Sequence, residues 1–139
     1  MKKLYSAVVS ATGGRDGTVK ASDGKFEFKL SMPKELGGPG GEGTNPEQLF
    51  AAGYSACFDS ALRHVCRMKK IELKSSQVTA HVDIGPNTAG GFMLAVQLVV
   101  DLPGMEKATA EELVKATHQV CPYSNATRGN VEVELIVNT

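Results

Sequence analysis

The chain has no tryptophan, no long apolar run and no excess of charge of either sign. A helix that crosses a bilayer needs about 18 or more consecutive apolar residues, and no stretch approaches that length. Fifteen Lys and Arg stand against fifteen Asp and Glu. The basic patch that grips nucleic acid is therefore missing, as is the polybasic stretch that docks on acidic membranes, and partners of neither class are expected. Cysteine is scarce and odd in number, three in all, which does not fit the paired framework of a secreted disulfide-rich domain. The expected compartment is a reducing cytoplasm, where a disulfide is more often transient and catalytic than structural. MKKLYSAVV opens with two lysines before apolar residues, as a secretory leader would. Its apolar stretch is soon broken by serines, however, and Leu4, Ser6 and Val8 alternate with Tyr5, Ala7 and Val9 as in a strand.

The 139 residues, 42% apolar and 22% charged, have the length and make-up of one soluble domain, 1–139. The one shift in composition is PKELGGPGGEG, 33–43, a glycine- and proline-rich connection without the Gly-Lys-Ser/Thr ending of a phosphate loop. Before it, KFEFKLSM alternates Phe26, Phe28, Leu30 and Met32 with polar residues, which predicts a half-buried strand pairing with the opening one. After it, TNPEQLFAAGYSACFDSALRHVCRM predicts a long helix. Asn45 can cap it, Pro46 suits its first position and Gln48 stands at capping-box spacing. The stripe Phe50, Tyr54, Cys57, Ala61, Val65 and Met68 marks the face expected to be buried. QVTAHVDI, with Val78, Ala80, Val82 and Ile84 on one face, and FMLAVQLVVDL, apolar on both and so central, predict two more strands. A helix capped near Thr109 and a closing strand VEVELIVN complete an α+β order, with an antiparallel sheet set apart from its helices.

The cysteines can be sorted by geometry. From Cys57 to Cys66 a helix turns about 900° and rises ~13 Å, so the two face opposite ways and cannot bond within one helix. An intramolecular disulfide must then use Cys121, with Cys57 or Cys66 as its partner. Cys57 lies on the apolar stripe beside small residues and is the better candidate to face a pocket. Cys121 precedes Pro122, which excludes it from helix and suits the first position of a new one. At such an N-terminus the amide dipoles favour a thiolate, so Cys121 is expected to be exposed and ready for exchange. Cys57, in about the third turn of its helix, lies beyond that help. A thiol near its ordinary pKa is only about 3% ionised at pH 7, so a reactive Cys57 needs a separate cation. Arg15 in GGRDG and Arg128 in NATRGN are the arginines in loop settings.

Taken together, GTNPEQLFAAGYSACF (43–58) and VCPYSNATRGNVEV (120–133) resemble the organic hydroperoxide resistance proteins, the Ohr branch of the Ohr/OsmC family. GGRDG near the start and GGFMLAVQLVVDLPG before the second helix extend the likeness over essentially the whole chain. The resemblance implies antiparallel sheets around a long central helix, in an intertwined homodimer with its sites at the subunit interface. It also implies a cysteine peroxidase that turns organic hydroperoxides into alcohols with no haem, flavin or metal. Carried over by position, Cys57 is the peroxidatic cysteine and Cys121 the resolving one. Arg15 stabilises the thiolate, Glu47 holds Arg15, and dihydrolipoyl groups on lipoylated proteins or another dithiol restore the thiols. Phe50, Phe92 and Met93 are candidates for lining a pocket that accepts bulky peroxides. Cys66 has no family role and is expected to pack.

The same residues admit three other readings. Zinc at His118 and Cys121 or at His64 and Cys66 lacks any CxxC pair, and His64 lies about 10 Å along the helix from Cys57. A cysteine hydrolase would use Cys57 with His118 and Asn125, and a non-catalytic small-molecule binder would need neither cysteine. One tension remains: ten helical residues put Glu47 about 15 Å from Cys57. A shared site then requires a broken helix, a bridging arginine or a second subunit, and a dimer-dependent site is expected.

Overall fold

Arg15 is presented by a tight glycine turn near the start of the chain. In the computed structural model, which describes residues 1–139, strands β1 (Val9–Thr12), β2 (Thr18–Ala21) and β3 (Glu27–Lys29) form an antiparallel sheet in that order. β1 and β2 are joined through a 3-10 turn, Gly14–Asp16, preceded by Gly13 at φ 81. Only glycine fits at Gly17, where a Cβ would fall 1.7 Å from the Thr12 carbonyl oxygen. The first strand begins at Val9, not at Leu4, because its ladder partner β2 ends at Ala21 opposite Val9. Apolar alternation before that point has no partner strand in the chain, and Leu4, Tyr5 and Val8 are exposed. β2 is too short, at four residues, to stand out in the sequence. The face expected from Phe26, Phe28, Leu30 and Met32 is uneven: Leu30 is buried, whereas Phe28 is exposed and stacks on Phe26.

The chain groups into two compact units, Met1–Leu49 and Phe50–Thr139. The first closes with the glycine-rich connection, which is stitched back on itself by bonds from the Gly38 N–H to the Pro33 carbonyl and the Gly40 N–H to the Met32 carbonyl. Helix α1 (Pro46–Lys69) starts there. Asn45 caps it, its Oδ1 accepting the Gln48 N–H at 2.9 Å. The reciprocal half of a capping box is absent, because the Gln48 carboxamide instead accepts the Thr44 hydroxyl.

In the second unit the core takes Tyr54, Phe58, Leu62, Val65 and Cys66 from α1. This stripe is turned from the expected one: Phe58 and Leu62 enter it, Cys57 moves to its border and Met68 is 72% exposed. Strands β4 (Gln77–Pro86), β5 (Phe92–Asp101) and β6 (Glu132–Asn138) form a second sheet with β5 in the middle, as its apolarity on both faces predicts. β4 and β5 pair antiparallel, but β5 and β6 pair parallel from Ala95↔Glu132 to Asp101↔Asn138. The parallel pair departs from the antiparallel expectation because a helical crossover, α2 (Lys107–Val120) and α3 (Pro122–Thr127), returns the chain in the same direction. α2 begins at Lys107, not near Thr109, whose hydroxyl donates to the Glu106 carboxylate instead of capping. No helix is long and apolar enough to cross a membrane.

Candidate active site

Cys121 occupies the corner between α2 and α3. Its N–H donates to the Thr117 carbonyl, closing α2, and its own carbonyl accepts the Asn125 N–H, opening α3 with Pro122 in the first position. A serine or aspartate at such a corner would turn its side chain onto the helix backbone. The Cys121 thiol makes no cap, and its sulfur lies 3.8 Å from the sulfur of Cys57. The helix start is where the proline predicts it, but the expected exposure is wrong. Cys121 is 0% exposed, because the corner points into the core among residues of α1, α2 and the sheet.

Cys57 is half-buried and borders a cavity of about 390 Å³ with Ser60, Ala61, His64, Arg67, Val120 and Pro122. Burial pushes its thiol pKa up, the backbone N–H of Tyr123 opposes this, and the neighbouring Cys121 adds to the rise. The net direction is upward, so these surroundings keep Cys57 protonated. Cys66, nine residues on, is 2% exposed within the core, and burial raises its thiol pKa despite nearby Arg63. Its place is packing, as expected of a buried free cysteine.

A polar network lies behind α3. The Tyr54 hydroxyl is 2.9 Å from Ser124 Oγ and 3.1 Å from Thr127 Oγ1, and Ser124 Oγ is 2.8 Å from His118 Nδ1. Burial and then Arg128 hold the His118 pKa below its ordinary value. The Arg128 guanidinium donates to the His118 carbonyl and to Asn125 Oδ1. His118 and Asn125 are thus committed elsewhere, and neither hydrogen-bonds Cys57. No three of the His, Cys, Asp and Glu side chains gather closely enough to hold a metal ion.

Within the first unit, Arg15 and Glu47 form a fork-on-fork ion pair, Nη1 to Oε2 and Nη2 to Oε1, both 2.7 Å. The glycine turn presents the guanidinium, and the first turn of α1, whose dipole favours a carboxylate, presents Glu47. The Arg15 hydrogen bonds hold the Glu47 pKa below the usual carboxylate range, against the opposing effect of burial.

The three candidate pocket residues separate. Phe50 packs edge-on against Tyr54 and Tyr123, centroids 6.1 Å apart in both cases, and so stands behind the N-terminus of α3. Phe92 and Met93 are not brought to Cys57. They are 74% and 50% exposed at the start of β5 and border a separate cavity with Ile84, Asn87, Leu94 and Asn130. Sequence reasoning missed Tyr54, Ser124 and Thr127 as a group, together with Gly53, where a Cβ would stand 2.5 Å from the Tyr123 hydroxyl. The small polar residues after Cys121–Pro122 were the available signal.

Comparison with known proteins places this arrangement. Residues 38–136 match the model of the family described as OsmC-like protein. The organic hydroperoxide resistance protein of Xanthomonas axonopodis pv. citri is 53% identical over 135 residues, 96% of this chain and 94% of that one. The crystal structure of an organic hydroperoxide resistance protein from Legionella pneumophila superposes with a TM-score of 0.95 at 50% identity, covering 99% of this chain and 100% of that one. OhrB of Bacillus subtilis superposes with a TM-score of 0.90 at 45% identity, covering 98% and 100%. The chain belongs to the OsmC-like family and, within it, to the branch of the organic hydroperoxide resistance proteins.

Proposed function

We propose that this protein is a thiol peroxidase that reduces organic hydroperoxides to alcohols, with Cys57 as the attacking and Cys121 as the resolving cysteine. The observation that carries this is the 3.8 Å between their sulfurs, one bordering an open cavity and the other sealed in the core. The relatives, organic hydroperoxide resistance proteins, point to the substrate class.

In the first step the Cys57 thiolate attacks the distal peroxide oxygen, the O–O bond breaks, and the leaving alkoxide takes a proton to become the alcohol. Cys57 is left as a sulfenic acid, the reversible rung of cysteine oxidation. The Cys121 thiol then attacks that sulfur, water leaves, and a disulfide forms. An external dithiol, such as a dihydrolipoyl group on a lipoylated protein, takes up the disulfide and restores both thiols. No cofactor enters these steps.

The first step needs a thiolate, and burial opposes it. A guanidinium is suited to the task because it stays charged and offers fixed donors to sulfur, peroxide and carboxylate together. Helix α1 is unbroken from Pro46 to Lys69, so an interruption does not bring Glu47 to Cys57. The proposed site is completed in an intertwined homodimer, with Arg15 of the partner subunit, held by that subunit's own Glu47, beside Cys57. Apolar side chains left open in the single chain, among them Leu4, Tyr5, Val8 and Val9, are the kind of surface a second copy would cover.

Turnover of cumene hydroperoxide with dihydrolipoamide tests the proposal. The wild type should cycle, Cys57→Ser should consume essentially no peroxide, and Cys121→Ser should consume one equivalent and then stall or overoxidise at Cys57. Full turnover by Cys57→Ser contradicts the chemistry, and full activity in a protein that is monomeric in solution contradicts the shared site. Ester turnover without dithiol would favour the hydrolase.

A further inference from the structure

We infer that Tyr54, Ser124, Thr127 and His118 form a positioning network that keeps Cys121 against Cys57. Its integrity sets how an oxidised Cys57 is divided between disulfide formation and further oxidation. The inference rests on the peroxidase chemistry proposed above, and none of the four residues is needed for peroxide to reach Cys57.

Tyr54 and Ser124 are 0% exposed and Thr127 is 3% exposed. Burying three hydroxyls in a core is costly unless each is hydrogen-bonded, and phenylalanine, alanine or valine would fill the same space without that requirement. All three are satisfied, and counting their protons fixes the direction of each bond. Thr127 donates to the Ser124 carbonyl at 3.1 Å. Tyr54 then donates to Thr127 Oγ1, and Ser124 to the Tyr54 oxygen. Every hydroxyl proton is now used once, so the contact between His118 Nδ1 and Ser124 Oγ requires an N–H on the imidazole. His118 is therefore a donor that holds α3, and its Nδ1 is not available as a base.

The network has no hydrogen bond to either sulfur and acts through the short helix α3. Ser124 lies in the first turn after Cys121, and the backbone N–H of Tyr123 faces the Cys57 sulfur. Tyr54 projects from the same helix as Cys57, one turn earlier. Tyr54 to Ser124 therefore ties the two cysteine-bearing segments together, and His118 to Ser124 ties α3 back to α2. Arg128 makes a second tie to the same end of α2.

The sulfurs must close from 3.8 Å to the ~2 Å of a disulfide, a movement that a corner held in contact makes easily. In a slack corner the sulfenic acid waits. Its oxygen-bearing sulfur then attacks the distal oxygen of a second hydroperoxide, the O–O bond breaks, a second alcohol leaves, and an irreversible sulfinic acid remains.

The test is the ratio of Cys57 sulfinic acid to Cys57–Cys121 disulfide, read by peptide mass after a fixed excess of cumene hydroperoxide, with thermal melts to confirm folding. Tyr54→Phe and His118→Ala should each raise that ratio about tenfold, the effect of losing one buried hydrogen bond. The first peroxide-consuming step should fall by less. His118→Asn, whose amide N–H can take the place of Nδ1–H, should return the ratio toward wild type. An unchanged ratio in folded Tyr54→Phe and His118→Ala overturns the inference. So does an equal ratio in His118→Ala and His118→Asn, a comparison that holds even where Tyr54→Phe folds poorly. A wild-type protein that forms no Cys57–Cys121 disulfide would instead refute the underlying peroxidase.

Discussion

The ion pair and the thiol pair are built on opposite terms. Arg15 and Glu47 meet where a glycine turn and a helix start present charge, with side chains 29% and 14% exposed. Their fork geometry favours the ionised form of both partners. Cys57 and Cys121 meet at the edge of an apolar core, where burial favours the neutral form of the Cys57 thiol. The part of the chain that carries Cys57 thus favours its neutral thiol, and the part that carries the ion pair has no cysteine. In the proposed peroxidase, Cys57 is switched on only where the two are combined, which would protect an idle thiol from oxidation.

The comparison can be broken from either side. Replacing the guanidinium should have the largest effect after loss of Cys57 itself: Arg15→Ala should lower kcat/KM for cumene hydroperoxide by about 100-fold or more, as expected when a preorganised charge is lost from a reacting centre. Arg15→Lys should recover little, because an ammonium cannot serve sulfur and carboxylate in the same fork. Both are read in the steady-state dithiol assay.

Glu47→Gln should cost less, about tenfold, since the guanidinium stays but loses its orienting charge. The same variant has a signature in stability. Because pairing holds the Glu47 pKa below its unfolded value, near 4.3, the stabilisation is present above that pH and is lost as pH falls through the folded value. Thermal melts from pH 7 down to pH 3 should show the wild type losing stability in the acid window more steeply than Glu47→Gln.

The smallest effect on activity sharpens the contrast between two cysteines of one helix. Cys66→Ala should lower stability by about 1–2 kcal/mol through lost packing, measured by urea denaturation, and leave peroxide turnover unchanged. Cys57→Ala should do the reverse, abolishing turnover with a smaller loss of stability because the site is half-buried.

Local chemistry made several elements legible. Asn45 and Pro46 mark the start of α1, Pro122 marks the start of α3, and the two-faced apolarity of FMLAVQLVVDL marks the central strand. What sequence left hidden was decided by packing between distant segments. The phase of α1's buried stripe depends on the sheet and α2 beneath it, so Phe58 and Leu62 displaced Cys57 and Met68. Cys121 follows the local rule for a residue before proline yet is sealed, because the inward turn of its corner is a tertiary fact. Helical spacing left Cys57 and Cys66 both open as partners for Cys121, and the family resemblance chose between them. The contact between Cys57 and Cys121 and the burial of Cys66 in the core are structural observations. The hydroxyl network had no motif to announce it, since serine and threonine in a polar run ordinarily face solvent.

The most direct measurement is to oxidise the fully reduced protein with one equivalent of cumene hydroperoxide, block free thiols, digest, and identify the linked peptides by mass. The peroxidase account predicts one disulfide, Cys57 to Cys121, with Cys66 recovered as the blocked free thiol. A disulfide that contains Cys66, or peroxide consumed with Cys57 unmodified, would contradict it.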